Sequence, residues 1–373
     1  MIPRLMLQTL EETIFKGKTI LLYGPRQVGK TTLLNELLNR MDAPSLRLNA
    51  DDPTIRNILD LPNTEQLRQL IGKNTIILID EAQRIRQIGI TAKLITDTFR
   101  EVQLLLSGSS SFELASATQE SLTGRKRTFF LYPISWKEWQ DYSGYLKAEQ
   151  DLENRLVFGM YPDVLNQTHD EEVTLRELAD SYLFKDILQY GNLKKPDEIR
   201  KLLQALAFQI GNEVSYQELG QLTGLDPKTV ERYIYILEQA FIIFRVGSFS
   251  RNLRNEIKSG KKIYFYDNGI RNAVIGQLQP FAIRTDTGAL WENFIISERK
   301  KFNQFNQRFA NDYFWRTTQQ QEIDYLEEQN GVISAFEIKL NPRKKPRTPV
   351  TFLNAYKSEI SVIHRDNFRD FVI

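Results

Sequence analysis

Five short apolar runs punctuate the first third of the chain, at residues 19–23, 45–48, 75–79, 102–106 and 128–131, each bounded by polar or turn-forming residues. Between most of them apolar positions recur at helical spacing, as at 31–40 and 91–100. Strands alternating with helices predict a parallel sheet with crossover helices, because parallel neighbours need a long connection. A mainly helical stretch is expected next, from 136 to 193, with Pro162 and Pro196 as breaks. Helical spacing resumes over 198–210, and Ser215-Tyr216-Gln217-Glu218 reads as a capping box opening a short helix. Gly224-Leu225-Asp226 then turns the chain, and Pro227 falls at a first helical position behind Asp226 as N-cap. Strand-like runs at 241–246 and 262–266 complete the order helix, helix, turn, helix, strand, strand, which is that of a winged helix-turn-helix. A last block carries a helical run at 290–301 and strand-like runs at 313–316, 322–326 and 333–340. The expected fold class is multidomain α/β, divided at 1–140, 141–196 (a helical lid or linker), 197–280 and 281–373.

Composition narrows the chemistry. With 41% hydrophobic residues and 22 Phe in 373 residues, the chain can bury several cores. There is no Cys, so disulfides, thiolate zinc sites and Cys nucleophiles are excluded. Only His169 and His364 offer imidazoles, so a resident metal must be held by oxygen, which points to Mg²⁺ or a similar hard ion. The formal net charge of +2 excludes a uniformly basic DNA-coating protein. That total is a cancellation: residues 1–244 hold 28 Lys and Arg against 33 Asp and Glu, and residues 245–347 hold 18 against 11. A local phosphate-binding surface in the last third is therefore allowed. The apolar runs are too short to span a bilayer and the first residues lack a secretory layout, so a cytoplasmic protein without membrane contact is the expectation.

The strongest motif is Gly24-Pro25-Arg26-Gln27-Val28-Gly29-Lys30-Thr31, which fits GxxxxGK[ST] between a predicted strand and a predicted helix. Gly24 and Gly29 let the backbone bend so that its N–H groups converge on phosphate oxygens, and the following helix start adds its positive end. Lys30 supplies a cation for the β- and γ-phosphates, and the Thr31 hydroxyl is a magnesium ligand. Residues 24–31 with Thr32 are thus the expected ATP-binding set.

A second element agrees. The run Ile76-Ile77-Leu78-Ile79 ends in Asp80-Glu81, where Asp80 would hold Mg²⁺ and Glu81 would activate the attacking water. The strand that follows ends in Ser107-Gly108-Ser109-Ser110; Ser109, with Ser107 close behind, is the candidate for orienting that water or the γ-phosphate, against plain turn serines. Arg125, in Gly124-Arg125-Lys126-Arg127, reads as an arginine finger acting in cis or from a neighbouring subunit of a homo-oligomer, or else as a solvated surface residue.

The segments GPRQVGKTT, ILIDEAQRI, LLLSGSSSFEL, LTGRKRTFFLYPISWKEW, YFWRTTQQQEIDYL and FEIKL together resemble a prokaryotic family. Its members join an AAA-type P-loop ATPase to a winged helix and a C-terminal domain like the PD-(D/E)xK restriction endonucleases. The resemblance implies ATP and Mg²⁺ as cofactors. It also implies a second site, in which Asp324 and Glu337 hold magnesium, Lys339 orients the nucleophile and Glu292 completes the metal shell. Alternation along a strand puts Glu337 and Lys339 on one face. Ile323, where the fuller nuclease signature has proline, is a departure from the pattern.

DNA contact through the C-terminal half rests on weaker signals. The predicted recognition helix carries Lys228 and Arg232 but also Glu231 and Glu238; Tyr233 and Tyr235 could stack on bases or pack in the core. Arg299-Lys300-Lys301 and Arg343-Lys344-Lys345 are candidate phosphate contacts or solvated charge. Two function classes follow: an ATPase acting on nucleic acid with a nuclease site, or a signalling or scaffold ATPase whose nuclease-like domain only binds DNA or a partner. A small-molecule kinase is disfavoured, because Glu81 suits activation of water.

Overall fold

The computed structural model describes residues 1–109, 118, 120–167, 170–189, 196–250, 260–317, 319–343 and 349–373. Ser110, His169, Lys344 and Lys345 lie outside them. The chain divides into two compact units, residues 1–133 with 239–241, and residues 134–238 with 242–373.

Unit 1 is built on a five-stranded sheet in the order β2-β3-β4-β1-β5, with β1 Thr19–Tyr23, β2 Ser45–Asn49, β3 Ile76–Asp80, β4 Gln103–Gly108 and β5 Lys126–Phe130. Every neighbouring pair is parallel. Helices α1 Met6–Glu11, α2 Lys30–Met41, α3 Pro53–Leu59, α4 Thr64–Ile71 and α5 Ile88–Thr98 belong to the same unit. Strands β1 and β4 are buried along their whole length, as the unbroken apolar runs require of a sheet covered on both faces. Burying each Ile or Leu of such a run contributes about 1.5–3 kcal/mol. Because the strands are parallel, the loop after β1, the carboxylates ending β3 and the serines ending β4 all leave the same edge of the sheet. Strand β4 stands between β1 and β3, the inserted strand of an additional-strand P-loop sheet.

Unit 2 contains a seven-stranded sheet, β12-β11-β10-β9-β7-β8-β6. Its strands are β6 Glu213–Val214, β7 Ile243–Ser248, β8 Lys261–Phe265, β9 Asn311–Arg316, β10 Glu322–Gln329, β11 Val332–Ile338 and β12 Ile360–Ile363. Strands β6, β8 and β7 pair antiparallel. The join to β9 is parallel and short, Gly247 opposite Tyr313 and Ser248 opposite Phe314, extended by Phe249 N–H donating to the Phe314 carbonyl at 2.7 Å. The expected boundary at 280/281 therefore falls within one continuous sheet.

Helix Pro196–Phe208 precedes β6; helices Tyr216–Thr223 and Pro227–Gln239 follow it. Their ends obey local chemistry. Ser215 accepts from Glu218 N–H, Gly224 closes the first in the left-handed region, and Asp226 accepts from Lys228 and Thr229 N–H at 3.0 Å each. The stretch after residue 133 is broken more often than expected, into helices Trp136–Ser143, Tyr145–Phe158, Pro162–Asn166 and Glu171–Gln189. Pro162 and Pro196 fall at breaks, as expected, and each begins the next helix, since a first-turn residue needs no backbone N–H bond. Trp136 belongs to unit 2, where its ring meets Phe294 and Phe368 at 5.8 and 5.6 Å and its backbone N–H donates to Glu298 at 2.6 Å.

Candidate functional site

The loop after β1 is shaped by its sequence. A Cβ on Gly24 would lie 2.1 Å from the Leu131 carbonyl oxygen, so only glycine fits beside that chain. Gly29 caps α2 at φ 90°, a left-handed conformation that favours glycine. Val28 is fully buried, and its carbonyl accepts from the Arg4 guanidinium at 2.7 Å. Arg4 also donates to the Tyr132 carbonyl at 2.6 Å, tying the loop to the chain beyond β5. The Lys30 ammonium donates back to the Gly24 and Pro25 carbonyls at 2.9 and 2.8 Å, so its charge sits inside the bend where phosphate oxygens would be cradled.

Thr31, at the start of α2, donates to Asp80 Oδ2 at 2.6 Å, while the Ser107 hydroxyl donates to Asp80 Oδ1. This brings two hard oxygen donors, from the loop helix and from the end of β3, to one point, and they fit a Mg²⁺ ion. The next residue is held separately. Glu81 adopts φ 50°, a strained conformation for a side-chain-bearing residue of the kind that collects at functional sites. Its Oε2 accepts from Gln83 Nε2 at 2.6 Å and faces Ser109 Oγ at 3.4 Å. Ser107 and Ser109 thus serve different carboxylates. Gln83 joins Glu81 and Ser109 but was missed in the sequence, because a glutamine after an acidic strand end carries no motif of its own.

Arg125 stands elsewhere. Its carbonyl accepts from Thr19 N–H at 2.9 Å, at the start of β1, whereas the phosphate loop follows the end of that strand. A five-residue strand separates the two edges by about 15 Å. The guanidinium pairs with Asp97 at 2.6 Å beside a cavity of about 430 Å³ lined by Phe15, Lys18, Thr96 and Arg100. At this position Arg125 does not reach the phosphate loop of its own chain; its half-exposed ion pair with Asp97 fits the surface-residue reading, with a finger supplied from a neighbouring copy as the other.

In unit 2 the acidic residues gather around two lysines. Strands β10 and β11 pair antiparallel, and one step beyond the Tyr325–Phe336 pair Asp324 comes opposite Glu337. Between Ile323 and Leu326 the register of β10 against β9 slips by one residue, a bulge that re-aims Asp324. Lys339 Nζ lies 2.8 Å from both Asp324 Oδ2 and Glu337 Oε2. Lys262 pairs with Glu322 at 2.5 Å and Glu292 at 3.6 Å, and Tyr264 donates to Glu292 at 2.7 Å. Burial and the nearby Asp324 charge push the Glu337 carboxyl up to about 7. Glu292 is also pushed up to about 7, by burial and Asp324, against the opposing pull of Lys262.

Asp324, Glu337 and Lys339 are brought together as the sequence suggested. The three-carboxylate set is not: among the described residues no three His, Asp or Glu stand grouped to hold one ion. The lysines divide the acids, Lys262 drawing Glu292 towards Glu322. Lys262 and Tyr264 were missed because β8 is distant from the D…ExK segment along the chain, and Glu322, two residues before Asp324 on β10, takes its place in the cluster only through Lys262. An Asp324–Glu337 pair of hard oxygens in a buried, like-charged setting still fits a divalent cation.

One further expectation is corrected, and one open choice is resolved in part. Arg299 and Lys301 are buried and paired with Glu327 and Glu298, and Lys300 reaches Asp312 at 3.0 Å, so this basic run is not a phosphate surface. Tyr233 is a core residue, with Tyr235 left half exposed on the solvent face of its helix. Among the described residues no helix is long and apolar enough to cross a membrane.

Comparison with known proteins separates three segments of the chain. Residues 16–140 match the family model described as "AAA domain". Residues 149–280 and 287–370 match models described as domains of unknown function, DUF8612 and DUF4143. An "Uncharacterized protein Rv2008c" of Mycobacterium tuberculosis is 27% identical over 336 residues, covering 88% of this chain and 72% of that one. "Uncharacterized protein MJ1544" of Methanocaldococcus jannaschii is 24% identical, covering 96% and 82%. The Thermotoga maritima RuvB Holliday junction branch migration motor overlays 66% of this chain and 90% of its own at 15% identity, with a TM-score of 0.34, too low to establish a common fold. The AAA match, together with the glycine loop, the Asp80–Glu81 strand end and the inserted strand β4, supports an AAA-type P-loop ATPase.

Proposed function

We propose that this protein hydrolyses MgATP in unit 1 and acts on nucleic acid through unit 2, with Asp324, Glu337 and Lys339 forming a metal-dependent phosphodiester-cleaving site. The observation that carries the ATPase reading is the separation of duties at the end of β3. Asp80 is engaged by Thr31 and Ser107, and Glu81 by Gln83 and Ser109. Thr31 and Asp80 would hold Mg²⁺, which neutralises charge between the β- and γ-phosphates. The loop N–H groups and Lys30 cradle the phosphate oxygens, and Glu81 accepts the proton of the attacking water.

The nucleic-acid half is supported by element order. Helix, β6, helix, helix, β7 and β8, with β6, β8 and β7 antiparallel, is an order that supports a winged-helix reading. Its third helix exposes Lys228, Arg232 and Tyr235 along with Glu231, a mixed face suited to phosphate contact more than to base reading. Asp324 and Glu337 would hold the cleaving metal, which supplies an activated water and charge stabilisation. Lys339 would orient that water as the nucleophile.

One observation favours a second reading. Lys339 already satisfies both carboxylates, so the cluster could be a fixed ion-pair array that only binds DNA or a partner.

The experiment is direct. Purified protein is expected to release phosphate from MgATP, and Lys30→Ala to lose that release by at least 100-fold, about 3 kcal/mol of transition-state stabilisation. With Mg²⁺ or Mn²⁺, single- and double-stranded DNA should be cut by the wild type and spared by Asp324→Asn and Lys339→Ala. DNA that is bound but never cut selects the second reading.

A further inference from the structure

We propose that Gln83 positions the attacking water, acting with Glu81; the inference rests on the ATPase reading above and deepens it. Ala82–Arg84 form a single 3₁₀ turn directly after Glu81, whose left-handed φ of 50° reverses the chain. The turn folds the Gln83 side chain back over the end of β3. Its amide nitrogen has two N–H groups and two acceptors, Glu81 Oε2 at 2.6 Å and Ser109 Oγ at 3.2 Å. The Ser109 hydroxyl in turn points its hydrogen at Glu81 Oε2, 3.4 Å away, closing a ring of three side chains.

This ring fixes which end of the amide is which. Turning the amide over would set its carbonyl oxygen against a carboxylate, so the nitrogen must face Glu81. The carbonyl oxygen Oε1 is then left buried and with no hydrogen-bond partner among the described residues. A buried acceptor left unmade is costly, and one beside a hydrolytic carboxylate calls for a functional reason. A water molecule supplies it. A water donating one hydrogen to the Glu81 carboxylate and the other to Gln83 Oε1 has both hydrogens engaged, which leaves a lone pair free for the γ-phosphorus. In the step that follows, the water oxygen bonds to phosphorus and the bond from the γ-phosphorus to the bridging oxygen breaks. Its electron pair remains on ADP, and the water's proton passes to Glu81. Gln83 accepts no proton; it sets the water's orientation and, through Nε2, that of Glu81. Ser109 is the third member of the ring, and its contact explains why the serine two residues beyond Ser107 is directed at Glu81 and not at Asp80.

The test compares wild type, Gln83→Ala and Gln83→Asn in MgATP turnover, in ADP binding, and in binding of ADP with aluminium fluoride, which mimics the transferring phosphoryl group with its in-line water. Gln83→Ala is expected to lower kcat by 10- to 100-fold. ADP affinity should change less than twofold, while affinity for the aluminium fluoride complex falls in step with kcat. Gln83→Asn, one methylene too short to hold Glu81 and the water together, should behave like Gln83→Ala. Melting temperatures report whether each variant is folded. An active wild type whose Gln83→Ala variant keeps its kcat, or loses ADP and aluminium fluoride binding equally, overturns the role of Gln83 and leaves the ATPase reading standing. A folded wild type that does not turn over ATP overturns both.

Discussion

Glu81→Gln is expected to lower ATP turnover by about 100- to 10,000-fold, the range of general-base catalysis, while leaving MgATP binding intact. The substitution keeps the size of the side chain. Its amide oxygen can still accept from Gln83 Nε2, the contact that holds Glu81 at 2.6 Å. The groups that would bind nucleotide and metal are engaged independently: Thr31 with Asp80 at 2.6 Å, and Lys30 with the loop carbonyls at 2.9 and 2.8 Å. What disappears is a basic atom able to take a proton from water. The effect should therefore fall on kcat and not on affinity, giving a protein that binds ATP and holds it. Single-turnover phosphate release and equilibrium binding of a fluorescent ATP analogue separate the two quantities. Turnover within threefold of wild type would remove Glu81 from the proton-accepting role. Lys30→Ala gives the opposite signature, because Lys30 meets the phosphates in the ground state as well, so nucleotide affinity should fall with turnover.

The geometry of the candidate nucleotide site was legible from local spacing because its parts are local. Gly24 to Thr31 fix one loop and one helix start, and Asp80-Glu81 terminate an apolar run that can only be a buried strand. Parallel pairing then carries the ends of β1, β3 and β4 to one edge without any further information. What spacing could not show was long-range pairing. The parallel contact of Gly247 and Ser248 with Tyr313 and Phe314 merges two expected domains into one sheet. It depends on a register that leaves no periodic trace. Lys262 reaches Glu322 and Glu292 only through that sheet. Arg125 was left open between a finger and a surface residue for a related reason. Its place just before β5 is visible in the sequence, but the edge of the sheet on which it falls follows from the direction of β1 beside it. Arg299-Lys300-Lys301 reads as a solvent-facing charge run, yet all three lie on a 19-residue helix, Thr287–Phe305, most of whose faces are covered.

That helix carries the largest stability prediction. Arg299→Ala is expected to destabilise the protein by about 3–5 kcal/mol, because it strands a buried carboxylate. Arg299 Nε and one terminal nitrogen each donate to a different oxygen of Glu327 at 2.7 Å, a bidentate fork, and the other terminal nitrogen donates to the Phe371 carbonyl at 2.7 Å. The guanidinium also lies over the Phe371 ring, 4.3 Å from its centre. Only 6% and 3% of the two side chains is exposed, so water cannot replace the lost partner. Asn303, which donates to Glu327 at 2.7 Å, the Tyr325 hydroxyl at 3.2 Å and Arg308 at 3.8 Å are left to stabilise the carboxylate. Burial pushes the Glu327 carboxyl up, but the hydrogen bonds and charge of Arg299 outweigh it and hold the group below its ordinary value. A carboxyl depressed on folding contributes stability above its unfolded pKa and loses that contribution as pH falls through the folded value. The gap between wild type and Arg299→Ala should therefore be full at pH 7 and narrow below about pH 4, near the unfolded Glu value. Thermal melting at pH 7 should show a loss on the order of 10 °C for the transition of unit 2. Replacing both partners, Arg299→Met with Glu327→Leu, should recover much of that loss, since no charge is then left buried. A double variant as unstable as Arg299→Ala would mean that stacking on Phe371, and not the ion pair, is what the helix depends on.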